Sequence, residues 1–146
     1  MPTRAIVYRT DRPRTADYHA LFQATGWNEH YRAEAAELDA ALDRSWLVVS
    51  AYLGQSMVGI GRVVSDGVLY AMVYDLIVHP RHRGRGIGGE LLRRMMATCE
   101  IAHIREVQLF CASGLRDWYR GFGFVERPAD APGMRLQRQP PPSAST

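Results

Sequence analysis

The most constraining stretch of this 146-residue chain runs from Tyr74 to Gly89. There an apolar run meets His79-Pro80, and four glycines follow within six residues, at 84, 86, 88 and 89. Val68 to Val78 reads as one long strand, and Pro80 ends it because proline cannot donate to a ladder. A helix is predicted next, from about Arg85 to His103, with Ile87, Leu91, Leu92, Met95, Met96 and Cys99 at helical spacing. The first N–H groups of a helix have no internal partner, and its N-terminal end is the positive pole of the dipole. Glycines let backbone approach a ligand with no Cβ in the way. Together these features predict an anion cradle with phosphate as its natural guest. Arg81, Arg83 and Arg85 stand beside it as countercharge.

Five arginines against Glu90 alone give residues 81–94 a charge of +4, in a chain whose formal net charge is only +3. The remainder is slightly acidic, so basicity is local and a broad nucleic-acid-binding surface is disfavoured. All 18 basic residues are arginine, whose forked geometry suits phosphate. The length fits one domain, and 47% hydrophobic against 23% charged residues is enough for one core. Cys99 and Cys111 show neither metal-ligand spacing nor a disulfide framework, which predicts a reducing cytoplasm and no metal. With no 18-residue apolar run and no signal-peptide core, neither a membrane span nor secretion is expected.

Around the central segment, Ala5 to Arg9 reads as a first strand and Thr15 as the cap of a helix ending at Gly26. Residues 31–43 read as a second amphipathic helix with Ala35, Leu38 and Leu42 inward, and Gly26 to His30 as a loop able to close over a site. Strands follow at Trp46 to Leu53 and Met57 to Ser65, and Asp66-Gly67 is a hairpin turn into the long strand. After the long helix come a strand at Val107 to Cys111, a short helix around Leu115 to Arg120 and a last strand near Met134 to Gln137. The expected fold is α/β, with a mixed, mainly antiparallel sheet flanked by helices and one strand–helix–strand crossover. Residues 1–138 are read as a single domain and 139–146, rich in proline, as a disordered tail.

Three phosphate-binding patterns compete for the glycine segment. A P-loop ends in Gly-Lys-Ser/Thr, and here lysine and hydroxyl are both missing. The dinucleotide pattern G-x-G-x-x-G is matched by Gly84 to Gly89, but Pro80 to Arg83 separate it from the strand, and the rest of the chain is too short for the parallel strands that fold needs. The third, R/Q-x-x-G-x-G/A, is satisfied by Arg83-Gly84-Arg85-Gly86-Ile87-Gly88. Here the chain resembles the GNAT superfamily of N-acetyltransferases, whose loop holds the pyrophosphate of acetyl-coenzyme A on backbone amides. A second resemblance follows in Trp118-Tyr119-Arg120-Gly121-Phe122-Gly123-Phe124, similar to that family's aromatic-Tyr-x-x-Gly-Phe signature. The order of elements also resembles the family's, from residue 5 to 137.

The resemblance implies acetyl-CoA as acetyl donor, no metal, and direct attack by a primary amine in a ternary complex. Acetyl transfer needs a deprotonated amine, an oxyanion site and a proton for the departing thiolate. By resemblance, Ile77, Val78 and His79 pair with the pantetheine arm like an added strand, and a backbone N–H near Val78 serves the oxyanion. Tyr119 matches the tyrosine that reaches the coenzyme sulfur as general acid. Ser113 stands where the family often has asparagine six residues before it. Asp75, inside an apolar strand, is a candidate base, and equally a buried carboxylate satisfied by neighbouring N–H groups or an arginine. His79, Glu29 and His30 are further candidate bases. Cys111 reads as packing rather than as a nucleophile. A small-molecule amine is the expected acceptor, with a protein lysine or N-terminus as the alternative. Tyr119 and the intact glycine motif argue against a non-catalytic acyl-CoA-binding module. The resemblance also allows a homodimer.

Overall fold

The computed structural model describes residues 4–138, so the proline-rich tail read at 139–146 lies outside the described residues. The chain divides into two compact units, Met1–Leu109 and Phe110–Thr146. In the first, β1 (Ile6–Arg9) precedes three helices, α1 (Thr15–Ala24), α2 (Asn28–Tyr31) and α3 (Ala35–Asp43). Then come β2 (Leu47–Leu53), β3 (Ser56–Ser65), β4 (Tyr70–Val78), α4 (Ile87–Ile101) and β5 (Glu106–Leu109). The sheet order is β1-β2-β3-β4-β5. Its first three pairings are antiparallel, and β4 pairs β5 in parallel across the α4 crossover. This is the mixed, mainly antiparallel α/β sheet that the sequence predicts.

Both faces of the sheet are covered. Tyr18, Leu21 and Phe22 of α1 and Leu38 and Leu42 of α3 join Val48, Met57, Ile60 and Ile77 of the strands in one buried cluster. Successive strand residues point to opposite faces, so Gly59 and Gly61, flanking Ile60, face α4. A Cβ at Gly59 would lie 3.0 Å from Leu91 Cδ1, and one at Gly61 only 2.5 Å from Met95 Cε. The two glycines let α4 lie close against β3, with Leu91, Leu92 and Met95 fully enclosed.

Several boundaries differ from the sequence reading, each for a local reason. The helix expected over 31–43 starts only at Ala35. Asn28 receives the Ala33 N–H at Oδ1 (2.6 Å) and donates Nδ2 to the Ala33 carbonyl (3.0 Å), closing a turn in which Arg32 is left-handed (φ 54°). Glu34 and Glu37 then form a reciprocal capping box that begins α3. Ala35, expected inward, is exposed. The segment read as a closing loop is thus partly the helical turn α2. Thr15 does not cap α1; its hydroxyl donates to Asp39 Oδ1 at 2.6 Å. At the hairpin, Asp66 Oδ1 accepts the N–H groups of Val68, Leu69 and Tyr70, so β4 begins at Tyr70 rather than Val68. Left-handed Gly86 precedes α4, which runs from Ile87 to Ile101.

The second unit holds α5 (Arg116–Arg120) and the turns that follow it. Among the described residues no strand forms at Met134 to Gln137, and Met134 and Leu136 are exposed. Alternating apolar residues make a strand only where a ladder partner runs beside them. No helix among the described residues is long and apolar enough to cross a membrane.

Candidate active site

The site is built where β4 changes its relation to both neighbours. Against β3 the register runs Arg62↔Tyr74 and then Ile60↔Ile77, so Asp75 and Leu76 together oppose the single residue Gly61. That is a β-bulge, and Asp75 takes a left-handed backbone there (φ 53°). Against β5 the parallel register runs from Tyr70↔Glu106 to Val73↔Leu109 and goes no further among the described residues. The edge of β4 from Tyr74 to Val78 therefore continues past its ladder with β5. The His79 N–H donates to the Val58 carbonyl at 2.8 Å. Strand alternation then turns the Val78 N–H the other way, toward the open edge.

At the bulge the Asp75 side chain is only 13% exposed, and its Oδ2 accepts two hydrogen bonds. Arg62 Nε donates to Oδ2 at 2.7 Å, and the Tyr18 hydroxyl donates to the same oxygen. Arg62 also donates Nη1 to Ser45 Oγ (3.0 Å) and the Ala41 carbonyl (3.4 Å) at the end of α3, and lies over the Tyr18 ring. Burial and then the Asp75 charge push the Tyr18 hydroxyl well above its ordinary range, which keeps it a neutral donor. Burial works against the Arg62 charge, but Asp75 and Tyr18 outweigh it and the guanidinium is held more firmly protonated than usual. Of the two roles open to Asp75 in the sequence, the structure supplies the partner of the second, an arginine. Sequence reading missed Arg62 and Tyr18. The available signal was Arg62 itself, the single charge in the strand Ser56–Ser65, which buried strand geometry obliges to find a counterion.

Beyond β4, a short 3-10 turn over Pro80–His82 leads into the glycine segment. Gly84 (φ 79°) and Gly86 (φ 76°) are left-handed, and a Cβ on either would meet nothing within 4 Å. Their role is conformational, and they leave the approach to the N-terminus of α4 open. Ile87 anchors the segment by burying its side chain (2% exposed). Arg81, Arg83 and Arg85 are all exposed, and none makes an ion pair among the described residues. Arg83 Nε bends back to the Val78 carbonyl at 3.4 Å. Arg93 and Arg94, one turn and more into α4, pair instead with Glu90 at 3.4 and 2.9 Å. The local positive charge is therefore concentrated on the loop side, beside free helix N–H groups. A diphosphate fits that donor set.

In the second unit, Tyr119 is buried on α5, edge-on to Trp118 and Phe124. Its carbonyl accepts the N–H groups of Phe122 and Phe124, folding the Gly-Phe-Gly-Phe turn around it. Burial, with a smaller contribution from Cys111, pushes its hydroxyl above the ordinary tyrosine range. Ser113 is exposed and precedes left-handed Gly114 in the turn before α5. Cys111 is an exposed free thiol and Cys99 a buried one. No group of three or more metal-ligating side chains occurs among the described residues. Glu29 and His30 are exposed on α2.

Residues 43–126, more than half of the chain, match the family model described as "Acetyltransferase (GNAT) domain". The chain is 29% identical over 129 residues to "Histone acetyltransferase TAP1" of Glycine max, covering 81% of this chain and 54% of that protein. It spans roughly half to two thirds of the length of the curated relatives it matches. Among solved structures, a GNAT-family acetyltransferase from Streptococcus pneumoniae superimposes with a TM-score of 0.80 at 28% identity, covering 93% of this chain and all of that one. A GNAT-family acetyltransferase from Brucella melitensis, solved in complex with acetyl-CoA, shares the fold with a TM-score of 0.64 at 22% identity, over 84% of each chain.

Proposed function

Because the chain belongs to the GNAT acetyltransferase family, we propose that it is an acetyl-CoA-dependent N-acetyltransferase acting on a primary amine. The observation that carries this reading is the continuity of the open β4 edge with the arginine-flanked glycine loop at the start of α4. When bound, acetyl-CoA supplies a thioester acyl group, and this chain's own residues bind and orient it. Backbone at Ile77, Val78 and His79 extends the sheet along the pantetheine arm. Amides from Arg83 through Gly88 take the pyrophosphate, with Arg81, Arg83 and Arg85 neutralising it. The Val78 N–H donates to the acyl oxygen as charge gathers there. Ser113 bonds to the coenzyme arm.

Tyr119 donates its proton to the departing sulfur. Its raised hydroxyl value suits an acid that stays protonated through neutral pH. With Oδ2 committed to Arg62 and Tyr18, Asp75 holds the bulge in place, and the ammonium loses its proton to solvent before attack. The free thiols suit a reducing, cytoplasmic compartment. A small-molecule amine is the acceptor in this reading. The match to a protein named as a histone acetyltransferase supports a second one, with lysine side chains as acceptors.

Calorimetric titration with acetyl-CoA is expected to show saturable binding at one site per chain, and its absence removes the coenzyme reading. A screen of small amines against lysine peptides, read by release of free thiol, separates the two acceptor classes.

A further inference from the structure

The junction between β4 and the glycine loop carries one contact that no part of the proposed chemistry uses. His79 ends the strand, and its own N–H is spent on the Val58 carbonyl at 2.8 Å. Pro80 occupies the next position and has no N–H to place. The Arg81 N–H is thus the first free donor after the strand, and it points at the His79 ring, which accepts it at Nδ1 (3.2 Å). The His79 carbonyl in turn accepts the His82 N–H at 2.8 Å. The imidazole therefore caps the 3-10 turn by side chain while the backbone of the same residue closes it. The ring is buttressed edge-on by His82, 5.7 Å between centroids. An Nδ1 that accepts must be unprotonated, so the neutral ring carries its hydrogen on Nε2.

We propose that the His79 side chain is a positioning residue for the coenzyme: by capping the Pro80–His82 turn, it sets the direction in which the arginine- and glycine-bearing loop leaves the sheet. The loop has few other constraints. Gly84 and Gly86 have open space where a side chain would be, and its three arginines are exposed. Its path is determined at one end by buried Ile87 and at the other by this turn. An unanchored loop pays its ordering entropy when the diphosphate binds, so loss of the cap appears as weaker coenzyme affinity rather than slower chemistry. The proposal rests on the reading of the loop as the pyrophosphate site.

The test compares His79→Ala, His79→Phe and His79→Asn in the full chain. Phenylalanine keeps a ring against His82 but cannot accept; asparagine is a short neutral acceptor suited to an N-cap. The expected result is a dissociation constant for acetyl-CoA raised about fivefold in the Ala and Phe variants, the loss of roughly one capping bond. The Asn variant returns to within about twofold of the parent, a rescue that a merely space-filling ring would not show. The Phe variant keeps the comparison open if Ala folds poorly. Parent-like affinity in His79→Phe overturns the proposal. So does Asn that binds as weakly as Phe, because an acceptor for the Arg81 N–H would then not be what sets the affinity. Failure of the parent chain to bind acetyl-CoA is a different outcome, which removes the pyrophosphate reading beneath it.

Discussion

Arg62 Nε lies 2.7 Å from Asp75 Oδ2, with each side chain only 13% exposed. The pair joins the two strands on either side of the bulge and, through Ser45 and Ala41, the end of α3. A buried pair need not add net stability, but removing one partner strands the other charge away from water. Arg62→Met and Asp75→Asn are each expected to lower unfolding free energy by about 3 kcal/mol. The double variant is expected to cost clearly less than the two singles together, because no charge is then left alone. Urea midpoints measure all three, and single variants within about 0.5 kcal/mol of the parent would show the pair to be dispensable. A rate lost in Asp75→Asn at undiminished stability would return Asp75 to the role of base.

How much of this was legible beforehand depends on how local each signal is. The α4 stripe, the Asp66-Gly67 turn and the Arg83 to Gly88 motif are written within a few neighbouring residues, and helix, hairpin and loop all form where that reading puts them. Asp75 was visible as an oddity, a carboxylate in an apolar run. Its partner, Arg62, stands 13 positions away in sequence, and the two meet only once the β3–β4 register and its one-residue slip are known. The turn at Asn28 was hidden for a related reason. Residues 31–34 have acceptable helical character, and only the two bonds from the Asn28 amide to Ala33 divert the chain. At Met134 to Gln137 the alternation was real, but periodicity says nothing about whether a neighbouring strand exists.

Gly86 separates the conformational from the steric role of a loop glycine. Its φ of 76° disfavours any L residue, yet a Cβ there would touch nothing within 4 Å. Gly86→Ala is expected to cost about 1 kcal/mol through backbone strain alone. Gly86→Asn, which tolerates the left-handed region better, should recover part of it. Thermal midpoints read the difference. Equal losses in the two variants would point to crowding instead of strain.

Tyr18 links the fold to alkaline pH. Burial and the Asp75 charge raise its hydroxyl above the ordinary 10.0, so the folded state favours the neutral form. That contribution is complete below the unfolded value and is lost as pH rises through the higher folded one. Stability should therefore fall above pH 10.0. Tyr18→Phe is expected to flatten this decline without abolishing it, since burial also raises Tyr8, Tyr52 and Tyr119. Urea midpoints measured from pH 8 to 11 test it, and a parallel decline in the Phe variant would exclude Tyr18 as a cause.

Tyr119→Phe tests the chemistry most directly. The ring stays edge-on to Trp118 and Phe124, so the turn around it should survive and acetyl-CoA affinity should change by less than about twofold. Only the hydroxyl is lost. If it protonates the departing sulfur, the rate at saturating substrates falls by roughly a hundredfold, the lower range for general acid catalysis. The parent's rate should hold through neutral pH and decline only as the hydroxyl ionises. Because burial raises that ionisation, the decline should begin above the ordinary tyrosine value of 10.0. The Phe variant should lack this limb, its residual rate being served by solvent. An unaltered rate would show that the sulfur needs no acid from Tyr119. A lower rate with equally weakened acetyl-CoA binding would make Tyr119 a binding residue.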